Sequence, residues 1–160
     1  MTLPNETMVE ELGELIRFDY DAIGAYTAAI DDVRESETRE FLVRFREDHE
    51  RHVIDLSAIV RRLGGVPPTK PDLKGFMRRT MTKVAGLGGM KGTLEAMKSN
   101  EKVLSERYAY HLSFEWPSEV RETIERSYND EKRHLAWIEQ ALTTHSWDKP
   151  SGPTASAPPR

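Results

Sequence analysis

Cysteine is missing from all 160 residues. Its absence removes disulfides, thiolate nucleophiles, cysteine-held zinc and iron–sulfur clusters from consideration. It also leans the expected compartment towards the cytoplasm, where disulfides are rare. A dominant charge sign is missing too: Lys and Arg number 23 against 27 Asp and Glu, a formal net charge of −4. So slight an acidic excess argues against a general nucleic-acid binder. No apolar run approaches the roughly 18 residues that a membrane-spanning helix needs. The opening MTLPNETMVEEL is acidic and has no apolar stretch, so no signal peptide is expected. A phosphate loop is also absent, since Gly86-Leu87-Gly88-Gly89 has neither the lysine nor a preceding strand. No Ser/His/Asp arrangement stands out.

What is present is charge in quantity, 31% of residues beside 38% hydrophobic. The length suits one domain with a sizeable core. Val9, Leu12, Ile16, Ile23, Tyr26, Ile30 and Val33 follow helical spacing, and Thr7 with Glu10 offers a capping box at the start. Leu42, Phe45, Leu56, Ile59 and Leu63 predict a second helix, stopped by Gly64-Gly65 and Pro67-Pro68. The short link around Glu35 and Ser36 predicts an antiparallel hairpin. Leu94, Met97, Leu104 and Tyr108 mark a third helix. Trp116-Pro117-Ser118 breaks it, with Ser118 as the expected N-cap of a fourth helix marked by Val120, Ile124, Ile138 and Ala141. The expected fold is all-α, a single domain over 1–145, with hairpins at about 7–64 and 92–145. The Pro/Ser-rich stretch 146–160 is expected to be a disordered tail.

The connection at about 65–91 holds Lys70, Lys74, Arg78, Arg79, Lys83 and Lys91 against one acid, Asp72. Phe76, Met77, Met81 and Val84 suggest a short amphipathic helix within it. A crossover packed on the bundle is the favoured reading, ahead of a basic patch for a membrane surface or an acidic partner.

An internal repeat runs through the chain. Shifting the sequence by 82 residues aligns SETREFLVRFREDHERH (36–52) with SEVRETIERSYNDEKRH (118–134), identical at eight of 17 positions. The same offset pairs Tyr26 with Tyr108 and Asp19 with Glu101. Two copies of one helical hairpin, related by a pseudo-twofold axis, account for this.

The apolar ladders are interrupted by charge. Asp19 occupies a core position of the first helix, His49 and His52 of the second, Glu101 of the third, and Glu131 and His134 of the fourth. Each lies near the middle of its helix, so in a bundle of antiparallel hairpins the six should meet in one layer. Isolated buried charges cost several kcal/mol each, roughly, and neighbouring carboxylates repel. No lysine or arginine shares these positions. One divalent cation or a pair of them is the natural neutraliser, and carboxylate with imidazole suits iron, manganese or zinc.

Asp19/Tyr26 and Glu101/Tyr108 share a spacing of seven, and Glu131-x-x-His134 follows on the next helix. In this the chain resembles the ferritin-like di-iron carboxylate superfamily, in particular the small bacterial bacterioferritin- and rubrerythrin-like four-helix bundles. The resemblance covers about 130 residues. It implies two iron ions held by Asp19, His49, His52, Glu101, Glu131 and His134. Asp48-His49-Glu50-Arg51-His52 and Asp130-Glu131-Lys132-Arg133-His134 are similar to that family's D-E-x-R-H motif. By that similarity Asp48 would support His134, Asp130 would support His52, and Arg51 and Arg133 would steady the aspartates. His49 departs from the pattern, standing where the family has a metal-bridging glutamate. It leaves Glu131 as the obvious bridge and three carboxylates at the site, so an asymmetric pair of ions, a single ion, zinc or manganese are all open. Tyr26 and Tyr108 stand near the expected site. His111, one turn past Tyr108, reads as a hydrogen-bonded or partly exposed histidine rather than a ligand.

The resemblance implies ferroxidase or peroxide- and oxygen-reducing activity, with metal ions and dioxygen or peroxide as partners. A homodimer is left open. The alternatives are a zinc- or single-metal bundle acting through protein partners and an iron-storage subunit. Classical rubrerythrin's cysteine-ligated relay domain has no counterpart here.

Overall fold

A computed structural model describes residues 2–71 and 89–148. Its elements are α1 (Asn5–Asp32), α2 (Ser36–Arg62), α3 (Met90–Leu112) and α4 (Ser118–Thr144), closed by a 3-10 turn at Ser146–Asp148. No strand occurs among the described residues. Helices α1 and α2 pack as one hairpin and α3 and α4 as the other. Side-chain pairs fix the relation between hairpins: Tyr108 meets Asp19 while Tyr26 meets Glu101, so α1 and α3 run antiparallel. Asp48 meets His134 and His52 meets Asp130, so α2 and α4 do too. Every neighbouring pair is thus antiparallel, and α3 begins at the end of the bundle opposite to that where α2 stops. With α2 27 residues long, that is a separation of about 40 Å.

The helix ends follow local chemistry, with two departures from the sequence reading. α1 starts earlier than the Thr7–Glu10 capping box, on Pro4, whose side chain makes no cap bond. Pro4 has φ −59°, already close to the value its ring imposes, and its carbonyl accepts from Met8 N–H at 2.9 Å. At α4 the N-cap is Pro117 rather than Ser118, which is already helical. The side-chain cap occurs instead at α2, where the Glu35 carboxylate accepts from Glu37 N–H at 2.9 Å and Thr38 N–H at 2.6 Å. Gly64 and Gly89 adopt φ +83° and +94°, a region open to glycine without steric cost. His145 ends α4 in the left-handed region at φ 48°.

Two apolar clusters fill the bundle, one at each end. One contains Ala22, Ala25, Ile30, Leu42, Phe45, Leu94, Met97 and Ile138. The other contains Leu12, Leu15, Ile16, Leu56, Val60, Val120 and Ile124. Burying each large aliphatic side chain contributes about 1.5–3 kcal/mol, and these two ends hold the polar middle together. The 146–160 stretch, expected to be disordered, opens with the 3-10 turn, and Trp147 packs on the first cluster; residues 149–160 lie outside the described residues. The amphipathic segment expected around Phe76–Val84 also lies outside them.

Candidate metal centre

Asp19, His49, Glu101, Glu131 and His134 are fully buried and His52 is 1% exposed. The four helices bring all six into the layer between the apolar clusters. Each occupies a core-facing position, so the periodicity that buries Leu12 or Ile138 also buries the charges.

The contacts exchange in pairs under the 82-residue offset. The Tyr108 hydroxyl donates to Asp19 Oδ2 at 2.6 Å, and the Tyr26 hydroxyl donates to Glu101. His52 Nε2 lies 3.0 Å from Asp130 Oδ2 and His134 Nε2 lies 2.8 Å from Asp48 Oδ2. Arg51 donates to Asp48 at 2.8 Å and to Asp130 at 2.6 Å. Arg133 donates to Asp48 at 2.7 Å and to Asp130 at 2.9 Å. These two arginines and two aspartates form a closed ring over the α2–α4 side of the layer. The arginine side chains are half exposed, so their worth lies in orienting the aspartates more than in stability. Each aspartate in turn sets the tautomer of a histidine from the opposite hairpin. A proton held on Nε2 leaves Nδ1 facing the interior.

That interior is crowded with acceptors. His52 Nδ1 lies 3.2 Å from Asp19 Oδ1 and 3.4 Å from Glu131 Oε1. His134 Nδ1 lies 3.6 Å from Glu101 Oε2. His49 faces both sides, with Nδ1 2.9 Å from Asp19 Oδ1 and 3.4 Å from Glu131 Oε1, and Nε2 3.5 Å from Glu101 Oε1. Two sets of donor atoms result: Asp19, His49, His52 and Glu131 in one, and His49, Glu101, Glu131 and His134 in the other. Both share His49 and Glu131, which are themselves partners under the 82-residue offset. His49 Nε2, Glu101 Oε2, both Glu131 oxygens and His134 Nδ1 are buried without any hydrogen bond. Such atoms are costly to leave unpaired. Their convergence at one point suits a cation.

Protonation shows how the layer balances charge through its own side chains. Burial opposes ionisation of Asp19, but His52 and His49 outweigh it and hold the carboxyl below its usual value. Glu101 is likewise lowered against burial by His134 and His49. Burial pushes Glu131 up to about 7, with His49 opposing. His49 rises to about 10, burial being overcome by Glu131 and Asp19, and His52 to about 12, chiefly through Asp19 and Asp130. His134 is raised against burial by Asp48 and Glu101. Burial and the neighbouring Glu101 and Asp19 carboxylates keep Tyr26 and Tyr108 far from ionisation. A surface cavity of about 350 Å³ opens beside His52, lined also by Arg51, Asp55, Arg126 and Asp130.

The sequence reading missed one feature here. Each tyrosine bonds the acid of the other hairpin, not the one seven residues before it on its own helix. Residues i and i+7 lie two turns apart, roughly 10 Å along the axis, which is too far for a hydroxyl to reach back. His111 is hydrogen-bonded, as expected, with Nδ1 2.8 Å from the Arg107 carbonyl oxygen, but it is fully buried and lies further along α3, outside this layer.

The architecture and the buried carboxylate–histidine clusters define a ferritin-like four-helix bundle with groups able to hold metal. Residues 7–113 match a family described as a domain of unknown function, DUF2383. The chain belongs to that family. The matched span covers α1 to α3 and stops before α4, which supplies Asp130, Glu131, Arg133 and His134. No curated protein sequence matches the chain. Among solved structures, the crystal structure of a ferritin-like, diiron-carboxylate protein from Bacillus anthracis str. Ames is similar, with a TM-score of 0.68 and 22% identity. The likeness covers 89% of this chain and 99% of that one, and at this identity it concerns the fold. No described helix is long and apolar enough to cross a membrane.

Proposed function

We propose that the central layer binds two metal ions, iron foremost, and that the protein is a cytoplasmic di-iron oxidoreductase of ferroxidase or peroxide- and oxygen-reducing type. The observation that carries this reading is the set of buried, unbonded donor atoms on His49, Glu101, Glu131 and His134. These four residues make up one donor set, and the other, Asp19, His49, His52 and Glu131, shares His49 and Glu131 with it, as a pair of neighbouring ions would require. The oxygen and nitrogen donor set suits iron and manganese. The diiron-carboxylate description of the Bacillus protein points the same way.

Asp19, His52 and Glu131 would hold one ion, and Glu101, His134 and Glu131 the other, with His49 ligating one of them through a single nitrogen. Iron bound there would supply electrons for the reduction of dioxygen or peroxide. The protein's own part is orientation. Asp130 and Asp48 pin His52 and His134 through Nε2 and so present Nδ1 to the ions. Tyr108 and Tyr26 hold one oxygen of Asp19 and of Glu101. The imidazoles must give up the protons that their neighbours stabilise, so binding releases protons. Ser127 and Asn129 join the arginines around the cavity beside His52, a polar approach for a small oxidant.

Anaerobic loading with Fe(II), followed by oxidation with dioxygen or with peroxide, tests the reading. Two irons per chain, oxidised rapidly by one of the two, are expected. A Glu131→Ala protein that binds as much iron as the parent would overturn the site. A second reading, a zinc-clamped bundle without redox turnover, is favoured by His49, because imidazole cannot bridge as a carboxylate does. Tight zinc with no oxidation of loaded iron would select it.

A further inference from the structure

A second cluster lies apart from the central layer. His111 is ten residues beyond Glu101 on α3, about 15 Å along the helix. It faces Glu11 and Glu14, one turn apart on α1. The His111 side chain is fully buried, and its Nδ1 lies 2.8 Å from the Arg107 carbonyl oxygen. A carbonyl only accepts, so Nδ1 carries the hydrogen. In the neutral ring the lone pair then sits on Nε2, the arrangement common in metal-ligating histidines.

Nε2 lies 3.1 Å from Glu11 Oε2 and 3.3 Å from Glu14 Oε2. It is nevertheless aligned for a hydrogen bond with neither and makes none. A buried lone pair aimed between two carboxylates is repulsive unless a proton or a metal ion stands there, and a proton on Nε2 would point squarely at neither oxygen. The spacing suits one. Metal bonds of about 2.0–2.1 Å at tetrahedral angles set ligand atoms about 3.3 Å apart, and one atom from each of these three residues falls within 4.8 Å of the others. The Glu11 and Glu14 side chains are 25% and 41% exposed, which leaves water access to a fourth position. Arg107 Nη1 approaches the other Glu14 oxygen at 3.8 Å and leaves Oε2 free for the cluster.

We propose that Glu11, Glu14 and His111 form a separate mononuclear site for a divalent cation that ties α1 to α3, with zinc the best-matched ion. One imidazole nitrogen, two carboxylate oxygens and a water would supply the four ligands of tetrahedral zinc, all of atom types that zinc accepts. The proposal does not depend on the central layer, and its test keeps the two apart. The full chain and an E11Q/E14Q protein are dialysed to equilibrium with zinc, each with Glu131 intact and as E131Q. The glutamates are partly exposed, so the pair of substitutions leaves the core closed; far-UV circular dichroism checks this. The expected result is one zinc fewer per chain in E11Q/E14Q, in both backgrounds, with the His111 Nε2 nitrogen resonance moving to a metal-bound position only in the parent. Equal zinc content with and without the substitutions would overturn the site. So would a His111 ring that keeps hydrogens on both nitrogens at saturating zinc, which would mark a plain ion pair.

Discussion

Glu131→Gln should make the metal-free protein more stable while weakening its hold on metal. Both carboxylate oxygens of Glu131 are buried without a hydrogen bond, and the group is pushed from 4.5 up to about 7. At about 1.4 kcal/mol per pH unit, that displacement corresponds to about 3 kcal/mol. The folded protein keeps a proton that the unfolded chain gives up between pH 4.5 and 7, so stability falls as pH rises through this window, and the full cost applies above it. Glutamine resembles the protonated acid and carries none of that cost. At pH 8 the metal-free variant should exceed the parent by up to about 3 kcal/mol, or roughly 6–12 °C in Tm for a domain of this size. With Fe(II), Mn(II) or Zn(II) added, the order should reverse. The parent gains stability with ligand concentration, whereas the variant has lost a carboxylate common to both donor sets. Thermal unfolding followed by far-UV circular dichroism, with and without metal from pH 5 to 8, reads both effects. A metal-free variant less stable than the parent at pH 8, or one that loses stability as steeply over pH 4.5–7, would refute the reasoning.

Asp48→Asn and Asp130→Asn each remove the carboxylate that orients a histidine of the other hairpin; metal affinity should fall by about 10–100-fold, measured by competition with a chromophoric chelator. Asp130 is held at about 2 through His52 and Arg133 against burial, and Asp48 is lowered through His134 and Arg133. Their contribution is present above the ordinary value of 3.8 and is lost as pH falls through the lowered ones, so acid unfolding should be steepest below about pH 4 and flatter in the double Asn protein. Tyr108→Phe removes the bond to Asp19 and leaves a buried carboxylate oxygen without its donor; a loss of about 1.5–3 kcal/mol is expected in urea unfolding. Gly65→Ala would place a Cβ 2.6 and 2.8 Å from the Val9 methyls and 3.1 Å from Val60. Overpacking there should lower stability by about 1–3 kcal/mol, visible as a lower urea midpoint.

The helices and the polar layer were legible because one periodicity carries both. The steps that place Leu12, Ile16, Tyr26 and Ile30 on the core face place Asp19 there as well. Midpoints of antiparallel helices share a height, so the six ionisable residues had to meet. Helix starts were less legible. Pro4 and Pro117 hold N-cap positions through backbone geometry, which the hydroxyls of Thr7 and Ser118 do not reveal.

By itself, the sequence determined the four helices, the two hairpins and the six central charges that face inward, because these depend on contacts between near neighbours and on burial. Only the tertiary structure decided which partner each charge has. It crossed the tyrosines between hairpins, closed Arg51, Asp48, Arg133 and Asp130 into a ring, and set His49 with one nitrogen towards each donor set. It also turned His111 towards Glu14 and Glu11, 97 and 100 residues away along the chain. Such pairings depend on the register and rotation of one helix against another. A periodic pattern fixes which face is buried, but it does not fix how two buried faces meet.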